Sequence, residues 1–470
     1  MAYDKVVDSA QLDGAMTSTA NAIRAKNGGS GSIQWDAATG FADAVAAISS
    51  GGAVQESDIN FWDYDGTLLY AWTLAELAGK TELPPLPSHD GLICQGWNWT
   101  LEDIKSAGRE LDIGALYITD DGKTRLYVDV DTETWDDFVL NYWQSNANAT
   151  TVDWGDGTTP ESKAQYSFVE HRHTYAASGR YMITMTVAEG KTVQLGKSGG
   201  TLLSESINSP GRQVMLIKAE IGAGITNVLA SAFYMCLNME SLTVPGNVTL
   251  TMSRLFESAY KIRMITAGAM TTINQAAYYA TNLKVLASPK DAAQTGAYAI
   301  AYTTVRRVNF DIVQAINAFG LERAHLKAVN GTVNGVRHTS VRDITIPADA
   351  TALGAAAFIE NYNLRKVTCL GDIASVSSQA FQYCYALRYV DFTHCTAVPT
   401  LANVNAFGST HSQLEIRVPA GLVEEWKAAT NWSSLADQIV PVGVAQVESE
   451  LRIYSGVSVT QDGEELEIGG

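Results

Sequence analysis

Cysteine, proline and positive charge are all in short supply in this 470-residue chain, with five Cys, 11 Pro, and 32 Lys and Arg against 50 Asp and Glu. The cysteines, at 94, 236, 369, 384 and 395, form no C-x-x-C pair and no other metal-ligand spacing. An odd, scattered set of this kind fits thiols kept in a reducing compartment better than a disulfide framework. The formal net charge of −18 repels phosphate backbones and anionic lipid, which removes nucleic acid and membrane surfaces from the natural partners. No apolar run approaches the roughly 20 residues of a spanning helix. The opening Met1-Ala-Tyr-Asp-Lys-Val-Val-Asp8 lacks the basic start and apolar stretch of a signal peptide. Charged residues make up only 17% of the chain and hydrophobic ones 46%, so it folds, and its length calls for two to four domains.

Against those absences stands one repeated pattern. Phe233-x-x-Cys236-x-x-Met239-x-x-Leu242 recurs as Phe256, Ala259, Ile262, Ile265 and as Ala277, Ala280, Leu283, Leu286. A weaker copy runs Ala299, Tyr302, Val305, Val308, and two further copies begin at Phe358 and Phe381. Successive copies are 23, 21 and 22 residues apart from Phe233 to Ala299, and 23 apart from Phe358 to Phe381. A period in the low twenties, with a short turn feeding a short strand, predicts a leucine-rich-repeat solenoid. One unit cannot bury its apolar face alone, so the units stack into a continuous core and present an extended surface.

The remaining chain divides around the repeats, and the fold class expected is multidomain and mainly β with short helices. Residues 1–52 read as two amphipathic helices, with Leu12, Met16, Thr19 and Ile23 on one face of the first, ended by Asn27-Gly28-Gly29. About 50 residues make a poor core of their own, so this segment is expected to self-associate, most simply as a homotrimer, or to dock on a partner. Residues 53–145 hold six of the ten tryptophans between Asp-Gly turn signals and read as a small α+β or β domain. Residues 146–195 carry an alternating strand, Gly179 to Val187, suited to a β-sandwich. The solenoid is placed at 215–445, with an insertion at 309–343 in which Phe310 to Leu326 is expected to be helical, and a tail or hairpin around Asp462-Gly463 occupies 446–470.

Several sets of residues carry resemblances to known families. Ala380-Phe381-Gln-Tyr-Cys384-Tyr-Ala-Leu387-Arg-Tyr-Val390 and Ala232-Phe233-Tyr-Met-Cys236 resemble BspA-type leucine-rich repeats of bacterial and phage surface proteins. Leu414 to Leu435, with Trp426 and Trp432, resembles the terminal cap of that family. Asp153-Trp154-Gly155-Asp156-Gly157, followed by His173-Thr174-Tyr175, resembles a PKD-type immunoglobulin-like sandwich. The segment from Asp8 to Phe41, and Gly96-Trp97-Asn98-Trp99-Thr100, resemble phage and prophage tail proteins. Together these imply a non-enzymatic virion component, a tail fibre or receptor-binding protein. It would attach to tail or baseplate proteins through residues 1–52 and bind a host cell-surface polysaccharide or protein. A leucine-rich-repeat adhesin of a bacterial surface is the alternative.

Chemistry is sparse. Asp63-Tyr64-Asp65-Gly66-Thr67-Leu68 resembles the nucleophile loop of haloacid-dehalogenase-type phosphatases, but the surrounding stretch is too short for their Rossmann-like domain, and a β-turn with Asp-Gly at its tip accounts for it better. Asp153 and Asp156 supply two carboxylates where Ca²⁺ wants six to eight oxygens. His171 and His173 share a strand face without a third ligand. No catalytic, cofactor or metal residue is therefore assigned. Candidate receptor-binding residues are a basic cluster, Arg323, His325, Lys327 and Arg337, suited to an acidic envelope polymer, and the pair Trp97 and Trp99, suited to stacking on sugar. Partner carboxylates around the former and core packing of the latter are the plainer explanations.

Overall fold

A computed structural model of the chain describes residues 54–204, 211–274, 277–279 and 281–442, with two short strands, Thr460–Gln461 and Glu464–Glu465, that pair antiparallel. The helical attachment segment expected at 1–52 lies outside the described residues. The first unit is a four-stranded sheet in the order β2-β1-β4-β3, from β1 (Ile59–Trp62), β2 (Leu68–Trp72), β3 (Leu92–Trp97) and β4 (Leu111–Thr119). Two short helices, α1 (Leu74–Leu77) and α2 (Leu101–Ala107), start on Thr73 and Thr100, whose hydroxyls accept from the backbone N–H three residues on. Phe61, Trp72 and Trp97 meet edge-to-face in this unit's own small core.

The next seven strands build a sandwich: β5 (Thr124–Val130), β6 (Asp137–Gln144), β7 (Thr150–Asp153), β8 (Glu161–Ser162), β9 (Ser167–Thr174), β10 (Gly179–Val187) and β11 (Val193–Leu195). It is larger than the 146–195 expected, because β5 and β6 leave the tryptophan-rich stretch to pair with β10 and β9 over seven and eight residues. Neither sheet ends at the sandwich. β5 pairs with β12 (Leu216–Glu220) and β11 with β13 (Ile225–Val228), the first two strands of the repeats, so both sheets run on into the solenoid. A single apolar core extends accordingly from Leu126 to Ile439.

His171 sits inside this sandwich, edge-on to Trp154 and 3.3 Å from the Tyr142 hydroxyl. Burial, aided by the Lys163 charge, pushes its imidazole down to about 4. An unfolded histidine titrates near 6.5, so from about pH 6.5 down to 4 the unfolded chain takes up a proton that the fold refuses. Stability should therefore fall with pH across that window. Urea midpoints measured from pH 7 to 4 should drop more steeply in the wild type than in His171→Asn, and parallel curves would show that His171 is not the group responsible.

The solenoid has about ten coils, most of which give short strands to parallel ladders that are interrupted along its length. Its inner rungs are aromatic where the repeat is strongest: Phe233, Phe256 and Tyr278 stack at 5.7 and 5.8 Å, and Phe358, Phe381 and Phe407 at 5.4 and 5.3 Å. Adjacent coils are tied at the rungs by backbone bonds, Phe233 N–H to the Leu255 carbonyl and Phe358 N–H to Ala380 among them. The third rung is Tyr278 where Ala277 was expected, a shift of one residue; both side chains are buried. At the far end Phe392, Phe407, Trp426 and Trp432 close the core, and the Trp432 indole donates to the Pro399 carbonyl at 2.7 Å.

Residues 309–343 are no inserted lobe, and Phe310 to Leu326 is not a helix. They form degenerate coils. Ile312 bridges Leu326, strand Ala315–Ile316 pairs in parallel with Val336–Arg337, and Thr332–Val333 pairs with Ala352–Leu353. The chain is drawn in tightly here: a Cβ at Gly320 would stand 2.7 Å from Thr304 Cα, which only glycine avoids. Within this stretch Ala315, Ala318 and Leu321 point three buried side chains into the solenoid core.

Candidate binding surface

The tryptophan-rich unit docks against the flank of the solenoid, and this contact decides what several candidate residues do. β4 lies along strands Met264–Thr266 and Val285–Ala287, so close that a Cβ on Gly114 would overlap Thr266. Asn98 donates to the carbonyls of Ala267 and Ala287, and the Trp99 indole donates to Ser288 at 2.8 Å. Asn309 and Asp112 exchange reciprocal bonds of 2.9 and 2.8 Å, and Arg307 reaches the Asp112 carboxylate at 3.0 Å. Trp97 and Trp99 are thus buried, at 8% and 5% exposed, the first within its own unit and the second in this interface. The proposed sugar-stacking pair is corrected to core and docking residues.

The basic cluster is likewise largely absorbed. Arg323 pairs with Glu110 of the first unit, and the Arg337 guanidinium donates to the Ala356 carbonyl at 3.2 Å. His325 lies in a cleft of about 1020 Å³ between the units, where burial and then the neighbouring Arg109 hold its imidazole below the usual range. Lys327 is exposed. Carboxylates Glu110, Asp311, Glu322 and Asp343 share the cleft with Arg109, Arg323 and Arg342, four against three, so no basic face results.

Neither carboxylate motif assembles chemistry. Asp63 is 3% exposed, and its oxygens are engaged by the Tyr117 hydroxyl at 2.6 Å, His89 Nε2 at 2.7 Å and the Tyr64 N–H at 2.8 Å. Asp65 accepts from the Thr67 N–H at the tip of the β1–β2 turn, where Gly66 has φ +89°. Asp153 and Asp156 bond the backbone of their own turn, and Asp156 also meets His173, which stacks on Trp154. Among the described residues no group of three or more His, Cys, Asp or Glu is placed to hold a metal ion.

The feature that the repeat pattern did not reveal lies in the turns that follow the rungs. Tyr279, Tyr302, Phe319, His338, Tyr362 and Tyr385 come from six consecutive coils, one, two or four residues after each rung. They form a line with centroid spacings of 5.0, 5.6, 6.2, 6.4 and 5.6 Å. Phe319, Tyr362 and Tyr385 are each about half exposed, at 50, 50 and 55%. Left-handed backbone recurs two residues after the rung, at Met235, Ser258, Tyr302, His338, Glu360, Tyr383 and Ser409. Such conformations are uncommon outside glycine. Here each of four of these N–H groups, those of Met235, Ser258, Glu360 and Tyr383, bonds a carbonyl of the next coil at 2.8–3.0 Å. That shared bend turns successive side chains out to the same side. A signal for it exists in the sequence: Phe256/Tyr260, Phe358/Tyr362 and Phe381/Tyr385 all place tyrosine four residues after the rung.

Residues 212–320 and 336–449 match the BspA type leucine rich repeat region in six copies. A leucine-rich repeat protein from Bacteroides ovatus is similar over 55% of this chain and 97% of its own length, at 12% identity and a TM-score of 0.27. No curated protein matches the chain. By the family model, residues 212–320 and 336–449 carry BspA-type leucine-rich repeats, a repeat class whose members are typically non-enzymatic binding proteins.

Proposed function

We propose that this protein is a non-enzymatic adhesin that works at a bacterial surface, with the solenoid as its binding element. The observation that carries this reading is the BspA-type repeat array bearing a regular line of exposed side chains on a rigid coil, a surface built for contact rather than reaction. The sandwich is read as a PKD-like spacer: the Tyr175 hydroxyl donates to the Trp154 carbonyl at 3.0 Å and ties the two signature motifs together. Residues 1–52 are read as an attachment or trimerisation segment. A second reading makes the same chain a tail-fibre component of a phage or phage-like particle, favoured by the likeness of Asp8 to Phe41 and of Gly96 to Thr100 to tail proteins. Immunogold labelling with an antibody to residues 215–445 separates them. Label on intact cell walls is the expected result, label at tail tips moves the protein to the second reading, and label confined to the cytosol overturns both.

A further inference from the structure

The aromatic line is exposed, ordered and unused by the fold's own core. A run of half-exposed rings on a surface marks a binding site more often than it marks accident. Its chemistry narrows the occupant. The groove at one end is lined by Tyr260, Tyr279, Thr281, Asn282 and Tyr302, rings together with hydroxyl and amide groups and no formal charge. Further along, Asn317 donates to the Tyr302 hydroxyl at 3.1 Å, and two carboxylates near the line are already paired, Glu360 with His338 at 2.9 Å and Glu257 with Arg254 at 2.7 Å. A surface of this kind gives an acidic polymer nothing to pair with, in a chain that already carries −18.

We infer that the line is a platform for a linear, uncharged polysaccharide, with pyranose rings stacked on successive side chains. This rests on the adhesion reading and names its ligand class. A hexopyranose has an apolar C–H face and a rim of hydroxyls. The face packs on an aromatic ring, and the rim needs the neutral donors and acceptors that Thr281, Asn282, Asn317 and the tyrosine hydroxyls supply. The coil repeat sets one ring after another along a straight line, because adjacent parallel strands stand about 4.8 Å apart. Neighbouring ring planes are turned by 77, 49, 53, 74 and 17°, so a polymer of like units would meet ring faces and ring edges in turn along that line. A globular protein partner is less well served, since a strip one ring wide flanked by polar turns does not make the broad apolar centre of a stable interface.

Isothermal titration of the full chain with chitohexaose and cellohexaose tests the inference. Saturable binding to at least one hexamer is expected. Tyr302→Ala with Tyr362→Ala should weaken it about tenfold or more while leaving the urea midpoint unchanged. Tyr302→Phe with Tyr362→Phe, which keeps the rings, should retain most of it. Absence of heat with both hexamers, equal binding by the double alanine variant, or a preference for polygalacturonate would each overturn the proposal, as would ring-dependent capture of a protein in its place. Cell-wall labelling together with any of these failures leaves the adhesion reading standing and removes only the platform.

Discussion

Phe381→Ala should lower the unfolding free energy by about 3–5 kcal/mol. The side chain is fully buried and stacked on both sides, by Phe358 at 5.4 Å and Phe407 at 5.3 Å. Removing it deletes transfer energy and opens a cavity that two rings held by their own coils cannot collapse to fill. A repeat array loses stability at the broken interface as well as in the unit, so the damage should spread towards the cap. Trp426 and Trp432 report on that end, because Trp432 packs against Phe407. Urea unfolding followed by tryptophan emission measures the effect, and a loss below about 1 kcal/mol would mean that the rung is not a packed position.

Asp112→Ala should be comparably severe, at about 3–5 kcal/mol. Its carboxylate is 3% exposed and accepts from Arg307 at 3.0 Å, the Trp62 indole at 2.7 Å and Asn60 at 3.2 Å. Burial outweighs the pull of Arg307 and raises the carboxyl above its usual range, and the cost of desolvating two charges offsets much of what a buried pair gains. Deleting one member is another matter, because it leaves a guanidinium that is itself only 12% exposed with the Ser57 carbonyl at 2.8 Å and a longer contact to Glu56 at 3.7 Å in place of its buried carboxylate. The double variant Asp112→Ala, Arg307→Met should recover most of the loss, since an apolar replacement for a buried pair is close to neutral. Thermal or urea unfolding of the three variants decides it. A double variant no better than the single would place the cost elsewhere in the interface.

What the sequence disclosed follows from how local each signal is. The repeat was legible because the stronger coils write their inward residues at short, fixed offsets, and the cap because Trp426 and Trp432 are bulky where the array has to stop. The edge of the sandwich was not, because β6 finds β9 about thirty residues away and β5 finds β10 more than fifty away, and nothing in Thr124 to Gln144 states those partners. The degenerate coils at 309–343 misled for a physical reason. Short rungs of Ala315 and Val336 carry too little side chain to mark a period, and Asn309 is spent on docking. Charge was misleading in the same way. Arg323 looked like a site in an acidic chain until Glu110, more than two hundred residues upstream, was seen to meet it. For Trp97 and Trp99 the sequence offered a choice between display and burial, and only the neighbouring unit settled it.

The joining of the sandwich sheets to the solenoid ladders has a mechanical consequence. β5 bonds β12 and β11 bonds β13 along both faces, so no single-chain hinge separates the two parts. A pull on the far end of the coils would load two rows of backbone hydrogen bonds at once, in shear between neighbouring strands, where a flexible connector would simply straighten. Drag on the far end of the coils would then reach the sandwich undamped. The unit would behave as a stiff lever whose failure begins at its weakest coil and not at its joint.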